Sequence, residues 1–140
     1  MPSQIIAFPV NGERQDKVQS GSMHTHFTFN SNGNLYATTR TWTKVKLKGF
    51  TGGVFIALTD ASGFPIWTTN QQRYGVDGTW IGQSDRTETW QASVPEDILP
   101  RVGGYAIIQE HTPRARVWEW ILSEEGQRTI KAAVTIILMV

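Results

Sequence analysis

The sequence predicts an all-β fold: one antiparallel β-sandwich or flattened barrel of about eight to ten short strands over residues 1–140, with a short helical turn near 95–102. Three observations predict it. Side chains alternate with a period of two through residues 23–47, and turn signals punctuate the rest of the chain. The composition agrees: 18% of the 140 residues are charged and 39% hydrophobic. Thr, Gly, Asn and Gln make up the difference, which suits sheets carrying hydroxyls and amides rather than surface helices striped with Glu and Lys.

Residues 5–10 read as an edge strand, because Pro9 cannot donate to a sheet ladder. The polar residues 11–22 then read as a loop. From Met23, the side chains of Met23, Thr25, Phe27 and Phe29 share one face, and His24, His26, Thr28 and Asn30 share the other. After Ser31-Asn32-Gly33 the alternation resumes: Leu35, Ala37, Thr39, Thr41, Thr43, Val45 and Leu47 on one side, Tyr36, Thr38, Arg40, Trp42, Lys44, Lys46 and Lys48 on the other. A two-residue Asn-Gly turn would set these two apolar faces on opposite sides of the sheet. A three-residue loop pairs Phe29 with Leu35, Phe27 with Ala37 and Thr25 with Thr39, so burial selects it, with Gly33 in the left-handed position.

Residues 54–58 are continuously apolar, as in a central strand covered on both faces. Asp60-Ala61-Ser62-Gly63 is a turn, residues 64–69 return as a strand, and Asp77-Gly78 marks a hairpin between residues 73–76 and 79–83. Residues 87–94 alternate again. Ser93 through Glu96 matches a capping box, with Ser93 as the cap of the short helical turn that Pro100 limits. Residues 105–110 form another buried strand. Residues 114–122 have both helical spacing (Val117, Trp120, Ile121) and a strand reading; the hairpin reading, with a turn at 123–126 and a strand over 130–140, is the one favoured here because the rest of the chain is β.

A formal net charge of +1 lacks the strong basic excess of a nucleic-acid binder. With no Cys there are no disulfides, thiolate zinc sites or cysteine nucleophiles. The start has no basic region followed by a long apolar core, so no signal peptide is expected. The apolar run at 132–140 is too short for a membrane helix. The chain therefore reads as soluble, with its compartment left open.

Three constellations carry candidate chemistry. His24 and His26 face the same way on a strand and can share a metal with His111 or Glu110. Tyr36, Arg40, Trp42, Lys44, Lys46 and Lys48 make a basic–aromatic face that gathers both histidines, suited to stacking or polar recognition. The segment 67–90 concentrates rings, amides and carboxylates, the mixture that vicinal sugar hydroxyls require. Phosphate-binding, dinucleotide and nucleophile-elbow motifs are missing, which favours binding over catalysis. The reading is a non-catalytic, lectin-like, glycan-binding module without cofactor or bound metal. Its ligand residues are Trp67, Tyr74, Asp77 and Trp80 together with Arg40 and Trp42, and homo-oligomerisation adds avidity. The alternatives are an assembly subunit that uses its aromatic residues and C-terminal strand for packing, and a metal-dependent enzyme using His24 and His26.

Overall fold

A computed structural model describes residues 6–19, 21–43, 49–76, 84–111 and 114–137. Two antiparallel sheets pack face to face. Strands β1 (Val10–Val18), β2 (Gly21–Phe29), β3 (Asn34–Thr43) and β7 (Ser84–Ser93) form the first, in the order β1-β2-β3-β7. The second contains β4 (Phe50–Thr59), β5 (Pro65–Thr68), β6 (Gln72–Val76), β8 (Gly104–Glu110) and β9 (Thr135–Ile136). Its order is β5-β4-β8-β9, and β6 pairs with the stretch of β4 before the β5 ladder. Two short helices, α1 (Val117–Leu122) and α2 (Glu124–Ala133), complete the fold.

Burial chooses the hairpin register, as the sequence requires. Phe29 pairs with Leu35, Phe27 with Ala37, Thr25 with Thr39 and His24 with Arg40. Gly33 turns the chain with φ +90°, a conformation that an L side chain would strain. Met23, Thr25, Phe27, Phe29 and Leu35 consequently lie in the interior against Val54, Ile56, Leu58 and Ile107 from the second sheet. Burying each large apolar side chain stabilises by roughly 1.5–3 kcal/mol, so a slip of one residue would forfeit several such terms at once. The opposite face of β4 and β8, with Phe55, Ala57, Ala106 and Ile108, meets Ile121 and Ile130 of the helices. Strand β4 is apolar without alternation because it is covered twice, by a sheet and by a helical layer.

That helical layer corrects the hairpin reading of residues 114–140. Alternation over 130–140 competes with the helical spacing of Val117, Trp120 and Ile121, and the second sheet's need for cover decides between them. Ser123 begins α2, its Oγ accepting the Gly126 N–H at 3.1 Å, with Glu124 and Glu125 in the first turn favoured by the helix dipole. A Cβ on Gly126 would collide with the Trp120 carbonyl, so glycine allows α2 to start hard against α1. Arg114 fastens the layer to the sheet: it holds the Glu110 carboxylate through Nε and Nη2, lies 3.8 Å over the Trp120 ring, and exchanges two hydrogen bonds with the Gln71 amide. The expected C-terminal strand shrinks to Thr135–Ile136, and residues 138–140 lie outside the described part.

Two further expectations change. The polar residues 11–18 are not a loop but the paired edge strand β1. Its alternation is weak because Arg14 and Asp16 occupy inward positions at the open border of the sandwich, and such charges also deter edge-to-edge pairing. Ser93 is the last residue of β7 rather than a cap; the Pro95 carbonyl accepts the N–H groups of Ile98 and Leu99 leading into a 3₁₀ turn at Leu99–Arg101. The Asp77-Gly78 hairpin lies outside the described residues.

A chain of hydrogen bonds crosses the core. Trp90 Nε1 donates to Thr39 Oγ1 at 3.0 Å, Thr39 and Thr25 hydroxyls lie 2.8 Å apart, and Thr25 donates to Gln109 Oε1 at 2.7 Å. Gln109 Nε2 then donates to Asp16 at 2.7 Å, and Arg14 holds the same carboxylate. An indole N–H can only donate and a carboxylate can only accept, so every proton between them points the same way. Thr39 must donate to Thr25. Nearby Thr41 is fully buried, and its hydroxyl has no partner among the described residues.

The same substitution should therefore have different outcomes on the adjacent strands β2 and β3. Thr25→Val strands the Gln109 carbonyl and should cost about 1–3 kcal/mol, whereas Thr41→Val removes an unpaired hydroxyl and should be neutral or gain up to about 1 kcal/mol. Denaturant midpoints check both, and two losses of equal size would contradict the assignment.

Candidate functional site

The first sheet's outward side chains form four rows across four strands. Pairing aligns Asn11, Thr28, Tyr36 and Gln91 in the first row and Glu13, His26, Thr38 and Thr89 in the second. Gln15, His24, Arg40 and Thr87 make the third; Lys17, Ser22, Trp42 and Asp85 make the fourth. Neighbouring strands are ~4.8 Å apart and alternate residues along a strand ~6.7 Å, so this is a shallow polar plane set by backbone pairing. Tyr36, 47% exposed, is its prominent ring. A depression of about 530 Å³ at that end is lined by His26, Thr28, Tyr36, Thr38, Thr89 and Gln91, floored by Ala37 and Trp90.

Local contacts differ along the plane. In the first row Thr28 Oγ1 donates to Asn11 Oδ1 at 2.7 Å. His24 Nε2 lies 3.1 Å from Glu13 Oε2, and the two histidine rings are 6.3 Å apart. Among the described residues no three His, Cys, Asp or Glu side chains are grouped to hold a metal ion. Glu110, with His111 one of two candidate third ligands, is engaged by Arg114. At the fourth-row end Arg40 grips Asp85 through Nε and Nη2, with the shortest distance 2.7 Å, and its guanidinium lies 4.2 Å over the Trp42 ring. That stacking covers one face of the indole.

The ligand residues expected from sequence divide between sheets. Arg40 and Trp42 do stand on this outer plane. Tyr74 does not: it is 8% exposed, packed in the main core, with Arg86 5.4 Å over its ring. Burial raises its phenol pKa first, the Glu88 charge adds to this, and Arg86 opposes it. A ring so placed has no face to offer a ligand. Trp67 is half-buried on β5 of the second sheet and packs on the same core, and Trp90 is buried as the donor to Thr39. Asp77 and Trp80, like Lys44, Lys46 and Lys48, lie outside the described residues. Sequence reasoning missed Asn11, Thr89 and Gln91, since their alignment beside Tyr36 comes from strand pairings that local alternation does not reveal.

No protein-family model matches the chain, and a search of curated proteins finds no match either. Among solved structures, a β-glucosidase of the GH3 type from Bifidobacterium adolescentis gives a TM-score of 0.26 at 9% identity, over 88% of this chain and 21% of that one. The chain thus spans about a fifth of that structure's length. A likeness this slight defines neither fold nor activity.

The Arg40–Asp85 pair has a definite pH signature. The hydrogen bond from Arg40 is the main cause that lowers the Asp85 carboxyl below its usual range, and the same bond raises the Arg40 guanidinium. With the folded value depressed, the pair's small surface contribution is complete above the ordinary carboxylate pKa of about 4 and fades as pH falls through the lowered folded value. A ¹³C carboxyl titration should place the Asp85 midpoint lower in the native protein than in Arg40→Ala. Equal midpoints would contradict the pairing.

Proposed function

We propose that the protein is a non-catalytic glycan-binding module whose site is the outer plane of the first sheet, centred on Tyr36. One observation carries this reading: an exposed aromatic ring stands in a row with Asn11, Thr28 and Gln91, over a shallow depression edged by Thr38 and Thr89. A sugar presents an apolar ring face and a rim of hydroxyls. The phenol ring suits the first, and amides with hydroxyls, which donate and accept, suit the second. The side chains are fixed by the ladder rather than by loops, so little ordering is needed on binding. Relative to the sequence reading, the site moves from segment 67–90 toward β3, keeping Arg40 and Trp42 at its far end.

Tyr36→Ala should leave the fold intact, because the ring packs outward, and should reduce retention on a glycan array at least tenfold. An array on which native protein and variant bind equally would defeat the assignment.

Weak single sites gain from repetition, and one observation favours self-association. Trp118 and Leu122 lie four residues apart on α1, 39% and 46% exposed, so they share a helix face as an apolar pair in contact with solvent. This supports a packing surface on the helical layer instead of on a C-terminal strand. Sedimentation velocity should show a defined oligomer that Trp118→Glu with Leu122→Glu converts to monomer; a native monomer at high concentration would exclude it.

A further inference from the structure

We infer, resting on the glycan reading above, that the plane takes an electrically neutral glycan chain, lying across β1, β2, β3 and β7 along the Tyr36 row, and does not take an acidic one. The inference comes from how charge is distributed over the sixteen outward positions. Four carry formal charge, the anions Glu13 and Asp85 and the cations Lys17 and Arg40. The first row, Asn11, Thr28, Tyr36 and Gln91, carries none, and from the second row Thr38 and Thr89 extend the neutral patch. No Lys, Arg, Asp or Glu side chain is among the residues lining the depression at this end.

Recognition of a carboxylate or sulfate on a sugar relies on a guanidinium fork or a cluster of cations. On this plane the fork is already occupied, because Arg40 directs Nε and Nη2 to Asp85. Lys17 stands on the edge strand in the fourth row, three rows from Tyr36, or ~20 Å along the strands. Glu13, in the row beside the depression, would repel an anionic chain. The depression also sits at the Asn34 end of β3, the end remote in sequence from the lysines that follow Thr43. Four strands at their usual spacing give a row ~14 Å long, enough for a short stretch of an extended polysaccharide. Along it the side chains offer ring face, amide and hydroxyl, and the amides of Asn11 and Gln91 stand at the two ends.

The experiment is native affinity electrophoresis of the full chain through gels containing neutral polymers (galactomannan, xyloglucan, mixed-linkage β-glucan) or anionic ones (polygalacturonate, heparin). Circular dichroism checks the folding of each variant. The expected result is retardation by at least one neutral polymer, unchanged within twofold by 0.5 M salt, absent with the anionic polymers, and lost in both Tyr36→Ala and Gln91→Ala. Retardation by anionic polymers alone, dependent on Tyr36 and abolished by salt, would overturn the neutral assignment while leaving glycan binding in place. Neutral binding indifferent to both substitutions would overturn the location. Failure of every polymer to retard the protein would overturn the inference together with the glycan reading.

Discussion

The structure depends on one polarised hydrogen-bond chain buried between the sheets. Running from Trp90 through Thr39 and Thr25 to Gln109 and Asp16, it joins β7, β3 and β2 of one sheet to β8 of the other and returns to β1. Its inner members, Trp90, Thr39 and Thr25, satisfy groups that would otherwise be stranded away from water, and Gln109 carries the chain to Asp16 at the open border. It also reinforces parity. Thr39 can meet Thr25, and Thr25 can meet Gln109, only if odd-numbered side chains of β2 and β3 turn inward, the arrangement that Phe27, Phe29 and Leu35 demand on hydrophobic grounds. Polar and apolar requirements agree, and the outer plane is their consequence.

The two sheets consequently do different work. The second is covered on one side by the first and on the other by α1 and α2, so its strands serve as support. The first keeps its outer face uncovered by any described element. There the ladder displays side chains that are costly to bury, and arranges them in rows. Arg40 and Asp85 satisfy one another at one end, and the charges of Glu13 and Lys17 stand on the edge strand β1. The neutral positions gather around Tyr36.

Much of this was legible in the chain. Residues 23–43 announce their register because a wrong loop length would expose Phe27 and Phe29, and residues 54–58 announce double coverage by lacking polar alternation. Legibility failed where a long-range partner supplied the missing term. Arg14 and Asp16 look like loop residues until Gln109, far away in sequence, meets them. Residues 114–122 fit both periods, and the bare face of Phe55 and Ile108 selects the helix. The aromatic residues were the hardest to read. Alternation puts Tyr36 on display, but Trp90 and Tyr74 are as large and polar-tipped, and their burial follows from strand pairings that local alternation does not reveal.

The most direct measurement uses the absence of cysteine. Single substitutions to Cys at each position from Leu35 to Arg40 can be probed with a maleimide in native buffer. Rapid labelling is expected at 36, 38 and 40, with protection at 35, 37 and 39 until denaturant is added. Uniform labelling, or protection at the even positions, would contradict the parity on which the displayed plane rests.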